Sequence, residues 1–429
     1  MNKILTIIKQ NLRLEHIFIS AMFILTFCFI FNLAKNPSGT QIETLGLYNV
    51  HRGGEYFYDL YIPANYSADR NVYFNERQPQ PKDFPKNYLP LTYMIQYFFA
   101  KTANYLDFGI NAIYTDISLI TSNLFIIFFS VILFIALYDL KQGGKTIKFL
   151  TISALFFSWA YIRAYQIGNI AVVSTVLSVF FLLYHDSKNK FIKEAAFISL
   201  AFAGALKIYP LLFGVVLLYD KQYKPVFRIA VYFFILAIAP FLFFTTKEHG
   251  IIDNILKCAG NIKDFSKTQI SYSFQIYPNH PVGTGLKNAI TLSVMLFKIL
   301  AVISLVTAYF QNVKWKKIFL LMFAVYYLTS TSGIYYMLLF FVPIVLFLNE
   351  KYLSLKNLAY LIFILLILNP YQFPEIAGYS LTGFLRRISL ILIFLMLFAD
   401  SVVVSVSALR KKYSKAAANN ERVCNNSCL

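Results

Sequence analysis

Charge is scarce in this chain. Only 14% of its 429 residues are Asp, Glu, Lys or Arg, and 58% are hydrophobic, 18% aromatic. A soluble domain carries about a quarter charged residues, so that class is excluded. Cysteine is nearly absent, with four in all. Cys28 falls in an apolar run, Cys258 in a polar segment, and Cys424 and Cys428 near the last residues, so no structural disulfide is expected. The five histidines are scattered, and no Cys/His spacing fits a zinc site, so no metal is expected, although a divalent ion remains compatible with the sequence. None of the eleven aspartates lies two residues from another, which removes the acid pair that many enzymes use to hold a metal-bound sugar nucleotide. No phosphate-cradling glycine loop is present either.

What is present is a series of long apolar runs. A bilayer takes about 20 apolar residues per helix, and about twelve candidate spans follow. They cover 16–34, 116–138, 148–164, 169–184, 194–206, 208–219, 228–245, 287–310, 317–331, 333–348, 358–369 and 384–405. The short ones fit helices that are broken, tilted or re-entrant inside a bundle. The first run has no small-residue cleavage site behind it and reads as a retained anchor. The net charge of +19 at first points to nucleic acid. Its distribution excludes that reading, because Lys3, Lys9, Arg13, Lys141, Lys145, Lys148, Lys188, Lys190, Lys193, Lys221, Lys224, Arg228, Lys314, Lys316, Lys317, Lys351, Lys356 and Arg410 fall in every second loop. By the positive-inside rule those loops and both termini are cytoplasmic, in a cytoplasmic (inner) membrane protein. The expected architecture is one all-α, multi-pass domain over 1–405 with a cytoplasmic tail at 406–429.

Two segments remain outside, 35–115 and 246–286. Leu91, Met94, Ile95, Phe98 and Phe99 recur at helical spacing, as in an amphipathic helix lying at the interface. Tyr272 to Gly285 carries Pro278, Pro281 and Gly283 and reads as a loop. The cytoplasmic loops, at about ten residues each, leave no room for a nucleotide-fed domain. A substrate met outside must then be activated in another form, and a lipid-linked phosphate is the natural one.

Four motifs, in order, carry a family resemblance. They are Asp59-Leu60-Tyr61 with Ala64, Asn87-Tyr88-Leu89-Pro90-Leu91, Gln166-Ile167-Gly168-Asn169, and Leu206-Lys207-Ile208-Tyr209-Pro210 followed by Tyr219. Ser332-Gly333-Ile334-Tyr335-Tyr336 leading to Pro343 is a weaker fifth. The chain resembles the multi-spanning glycosyltransferases of the GT-C superfamily, and most of all glycosyltransferase family 87, over roughly residues 45 to 350. Leu89 stands where the family usually has the first proline of Tyr-Pro-Pro, and the Gln and Gly around Asn169 are rearranged.

The resemblance implies inverting transfer of a sugar, mannose or a similar hexose or pentose, from a polyprenyl-phosphate donor to a glycolipid or glycan acceptor outside the membrane. Such a displacement needs a base for the attacking hydroxyl and positive charge for the departing phosphate. Asp59 is the candidate base, with Asp69, Asp83 and Asp116 as rivals and Glu55 near enough to couple; a loop aspartate capping a helix is the structural alternative. Lys207, Arg163, Arg386 and Arg387 are candidates for the donor phosphate, against snorkelling or helix-flanking roles. Tyr88, Gln166, Asn169, Tyr209, His280 and Tyr335 are candidates for substrate contact, against interfacial belts and packing. Lys298, in mid-span, needs a cavity or partner, with Asp400 as a possible counterpart. Other lipid-linked glycan enzymes, a polymerase or ligase, and a transporter or flippase are the rival classes.

Overall fold

The computed structural model describes residues 13–35, 57–77, 86–268, 284–328, 334–350, 353–373, 375–376 and 379–426. Among the described residues helices predominate, joined by short turns, and the strands are a ladder of two-residue segments, Glu375–Ile376 and Tyr379–Ser380. In chain order the helices are α1 (Leu14–Lys35), α2 (Tyr58–Ser67), α3 (Pro90–Thr102), α4 (Tyr105–Phe108), α5 (Asp116–Leu140), α6 (Lys145–Phe156), α7 (Trp159–Ile167), α8 (Ala171–Tyr184) and α9 (Lys190–Leu206). They continue with α10 (Val215–Tyr219), α11 (Tyr223–Ile238), α12 (Ile251–Thr268), α13 (Thr284–Phe310), α14 (Lys314–Leu328), α15 (Phe341–Phe347), α16 (Leu355–Leu368) and α17 (Leu381–Asn426). Tight 3₁₀ turns over Tyr209–Gly214, Ala239–Phe244 and Ile334–Phe340 precede or follow α10, α11 and α15.

Four stretches are long and apolar enough to cross a membrane: Leu14–Lys35, Asp116–Leu140, Tyr223–Phe244 and Leu381–Val404. The pair α6 and α7, bent by 58° at Phe157-Ser158, would make a fifth if it is one span. Their outward faces carry Phe27, Ile120, Leu124, Phe128 and Phe234, all exposed, as lipid-facing helices do. Several of the remaining apolar helices are shorter, ten to seventeen residues, in keeping with broken segments inside a bundle.

The 3₁₀ turns have a sequence cause. Pro210 and Pro240 each stand in the first turn of one, where a missing N–H costs nothing and the fixed φ favours the turn. Helices α8, α9 and α11 pack side by side, as do α13 with α14 and α16 with α17. The largest core cluster joins them through Phe181, Phe197, Phe213, Phe319, Phe341 and Tyr360.

One end of the bundle is tied by polar groups. Lys141, at the end of α5 and 1% exposed, forms an ion pair with Glu15 of α1 and donates to the carbonyl of Leu348 at 3.2 Å. Asn349 accepts from the Gln142 amide at 2.9 Å and donates to the Leu140 carbonyl at 3.1 Å. Trp315 donates to Glu350, while Lys316, at 2.7 Å, and Lys356 both grip Asp400. Loops that the sequence groups on one side through Lys141, Lys316 and Lys356 therefore meet. Asp400 takes Lys316 and Lys356 as partners instead of Lys298.

Candidate functional site

In the polar segment after α1, the described residues include α2 and α3, which pack together, with α2 also against α7. Helix α2 is preceded by Phe57, whose backbone adopts φ +52°, the left-handed region that L residues avoid. Phe57 N–H donates to the Gln166 carbonyl at 2.6 Å, so the start of α2 rests on the last turn of α7. Gly168 makes this possible. Its φ is +65°, the left-handed cap that ends α7. A Cβ at this position would lie 2.5 Å from Phe57 Cδ1, 3.1 Å from Phe57 Cα and 3.3 Å from Leu60 Cβ. Only a glycine satisfies both the conformation and the contact.

This docking brings Asp59, in the first turn of α2, onto Asn169. The Asn169 amide nitrogen donates to Asp59 Oδ2, while its oxygen accepts from the Ala171 backbone N–H at 2.8 Å. Asn169 is fully buried. Because the Ala171 N–H can only donate, the Asn169 oxygen must face it, and the amide nitrogen must face the carboxylate. Asn169 therefore acts on Asp59 directly.

Lys207 follows α9 in an extended conformation and is half-buried. Its ammonium lies 5.0 Å from the Tyr88 ring centroid and 5.6 Å from that of Tyr336, an arrangement in which the ring faces favour the cation. Tyr209 packs edge-on against Tyr336, with centroids 4.5 Å apart. Thr92, fully buried in the first turn of α3, donates to the Leu206 carbonyl at 3.0 Å and so fixes the residue before Lys207. Tyr88 is itself held by its backbone: its carbonyl accepts from Tyr73 at 3.0 Å, and its N–H donates to Tyr93 at 3.4 Å. Burial pulls the Lys207 ammonium down to about 8, against the pull of the Asp59 carboxylate, which raises it. Burial, reinforced by the Asp59 charge, pushes the Tyr88 phenol well above its ordinary value. Ile170, beside Asn169, and Leu206, beside Lys207, share one buried cluster with Tyr88, so the Asp59–Asn169 corner adjoins the Lys207–Tyr88 pair.

The other expected residues divide into two groups. Arg163 donates to the buried Gln166 side-chain oxygen at 2.8 Å across one turn of α7, next to the Asp59–Asn169 corner. Arg386 belongs elsewhere. Its guanidinium sits 5.4 Å from the ring of Trp159 at the opposite end of α7 and donates to the Asn369 carbonyl at 2.6 Å, where α16 ends. Arg387, half-buried, follows it on α17. His280 and the Tyr335 side chain lie outside the described residues; Tyr336, its neighbour, is the ring beside Lys207. Of the rival bases, Asp116 opens α5 and Asp69 accepts from the Asn71 N–H at 3.0 Å, whereas Asp83 and Glu55 lie outside the described residues.

Sequence reasoning missed two parts of this site. Gly168 was visible as a motif letter, but its conformation was not. The buried Lys86, which donates to both oxygens of Asn75 beside the Tyr66 ring and is lowered by burial to about 8, gave no motif. Among the described residues, no group of three His, Cys, Asp or Glu side chains is placed to hold a metal ion. No family model, curated protein or solved structure matches this chain. The functional reading therefore rests on the residues.

Proposed function

We propose that this protein is an inverting glycosyltransferase of the membrane, taking a sugar from a polyprenyl-phosphate donor and placing it on a lipid-linked or glycan acceptor at the outer face of the cytoplasmic membrane. The observation that carries the proposal is the convergence of one oriented carboxylate, Asp59, and one aromatic-caged cation, Lys207, from elements about 150 residues apart, whose neighbours Ile170 and Leu206 share one buried cluster with Tyr88.

The reaction written on these groups is a single displacement. The acceptor oxygen forms a bond to the anomeric carbon as the bond from that carbon to the phosphate oxygen breaks. The electron pair of the broken bond goes to the departing phosphate, and the hydroxyl proton goes to Asp59. Attack from the face opposite the leaving group inverts the anomeric centre. Asn169 fixes the carboxylate, and Lys207 offsets the charge gained by the phosphate. The half-buried position of Lys207 strengthens that effect, since a charge pair away from water is less screened.

The test is transfer by purified, lipid-reconstituted protein supplied with a panel of radiolabelled polyprenyl-phosphate sugars and a crude membrane acceptor. Asp59→Asn is expected to fold normally and to lose transfer by about 10²- to 10⁴-fold, the usual contribution of a general base. Transfer by a folded Asp59→Asn protein at the wild-type rate would reject Asp59 as the base. Absence of transfer by the wild type with every donor would reject the proposal for that donor class.

A further inference from the structure

The amino-terminal end of α7 gathers hydrogen-bond donors that have no acceptor. Ser158 Oγ, Trp159 Nε1 and Arg386 Nε are all buried and make no hydrogen bond. The residues themselves are 0%, 2% and 2% exposed. They are neighbours: Ser158 is the N-cap of α7, Trp159 opens the helix, and the Arg386 guanidinium lies 5.4 Å from the Trp159 ring centroid. Ser158 has the extended backbone of an N-cap, yet its side chain makes no capping bond. The first N–H groups of a helix also lack intrahelical acceptors and carry partial positive charge.

Buried donors without acceptors are unfavourable, and the Arg386 guanidinium, bonded to the Asn369 carbonyl, keeps its Nε–H unpartnered. Two of these three groups can only donate, the third can do so, and one is a full cation. Their chemical complement is an anion with several acceptor oxygens, which is the chemistry of a phosphate. The surroundings indicate what carries it. Trp159 packs against Phe29 and Leu33 of α1, one of the four stretches long enough to cross a membrane, and Phe27, Ile30 and Phe31 of that helix are exposed. An acyl or prenyl chain has an apolar surface to follow from the anion outward.

We propose that Ser158, Trp159 and Arg386, with the first turn of α7, bind the phosphate of a phosphorylated lipid at a site separate from the Asp59–Lys207 centre. Eight helical rises of 1.5 Å separate Ser158 from Gln166, about 12 Å. A phosphate at the amino-terminal end is therefore too distant to be the one bonded to a carbon beside Asp59. It is a second phosphate; that separateness rests on the transferase reading, while the binding of a phosphate by Ser158, Trp159 and Arg386 does not.

The experiment is thermal unfolding of the purified full-length protein, titrated in turn with a polyprenyl phosphate, phosphatidylglycerol and inorganic phosphate. The variants are Ser158→Ala, which removes only the hydroxyl, Trp159→Phe, which keeps a ring under the guanidinium, and Arg386→Gln. At least one phosphate compound is expected to raise the wild-type midpoint, with apparent Kd weakened about tenfold or more by Ser158→Ala and by Trp159→Phe. A response confined to the lipids supports a site that includes the α1 surface, and an equal response to inorganic phosphate supports recognition of the anion alone. No response to any of the three compounds overturns the proposal. So does equal binding by wild type, Ser158→Ala and Trp159→Phe, a comparison that stands even where Arg386→Gln fails to fold. Asp59→Asn is expected to bind as the wild type does; loss of binding there would overturn the separation of the two sites.

Discussion

Replacing Gly168 by alanine tests the docking that orients Asp59. An alanine held at φ +65° costs about 1–2 kcal/mol, because its Cβ crowds the following carbonyl. The same Cβ would stand 2.5 Å from the Phe57 ring and 3.1 Å from its Cα, so α2 or the α7 turn must shift, adding about 1–3 kcal/mol of overpacking. The two contributions amount to about 2–5 kcal/mol, a sizeable share of the 5–15 kcal/mol that ordinarily holds a protein folded. Because the shift acts on the first turn of α2, it also moves Asp59 off Asn169; a displacement near 1 Å can cost about 10²-fold in rate. Gly260, exposed within α12 with nothing within 4 Å of its would-be Cβ, is the control. Gly260→Ala is expected to stabilise by about 0.5–1 kcal/mol through better helix propensity. The assay is thermal unfolding in detergent for both variants, followed by transfer activity at a temperature where each is folded. A Gly168→Ala protein as stable and as active as Gly260→Ala would refute the argument that this turn sets the base.

Three further outcomes are expected. A lysine lowered to about 8 is charged below that pH and loses its proton as pH rises through it, so kcat/KM should fall on the alkaline side near pH 8. Lys207→Arg should remove that descending limb, since a guanidinium keeps its proton; a limb unchanged in Lys207→Arg would assign it to another group. Glu15→Ala leaves the buried Lys141 without its carboxylate, with only two carbonyls left to it. It should lower stability by about 3 kcal/mol, read as a lower unfolding midpoint. Thr92→Val keeps the shape but leaves the Leu206 carbonyl without its partner at 3.0 Å; a loss of about 1–2 kcal/mol is expected, and calorimetry or denaturant unfolding would measure it.

Local signals were legible in the sequence and long-range ones were not. Runs such as 116–138 coincide with helices because length and uniform apolarity suffice to specify a helix. The helical spacing over Leu89–Phe99 likewise marked α3, which runs over Pro90–Thr102. Helix α12 was hidden inside the segment read as an outer loop, because its overall apolarity is low: Ile251, Ile255, Cys258 and Ile262 make a narrow buried stripe, and Asp253, Lys257 and Asp264 fill the opposite face. The candidate residues Asp59, Gln166, Asn169 and Lys207 could be named individually from their motifs. Their relations could not, since the Asp59–Asn169 contact spans 110 positions and the Lys141–Glu15 pair 126. The separation of Arg386 from Lys207 is equally invisible in one dimension. Both are cations at the mouths of apolar runs, and only the length of α7 sets them apart.

The hydrogen bond from Phe57 N–H to the Gln166 carbonyl has an electrostatic consequence for the carboxylate beside it. It joins the positive end of one helix to the negative end of another, each worth about half an elementary charge. Asp59 stands at this junction, so the two fields oppose each other there. The backbone therefore leaves little net field on the carboxylate, and its surroundings are set by a few side chains, Asn169 and Lys207 foremost. An anionic donor that draws on Lys207 would compete with the carboxylate for the same cation, so substrate arrival and the setting of the base are coupled through a single lysine.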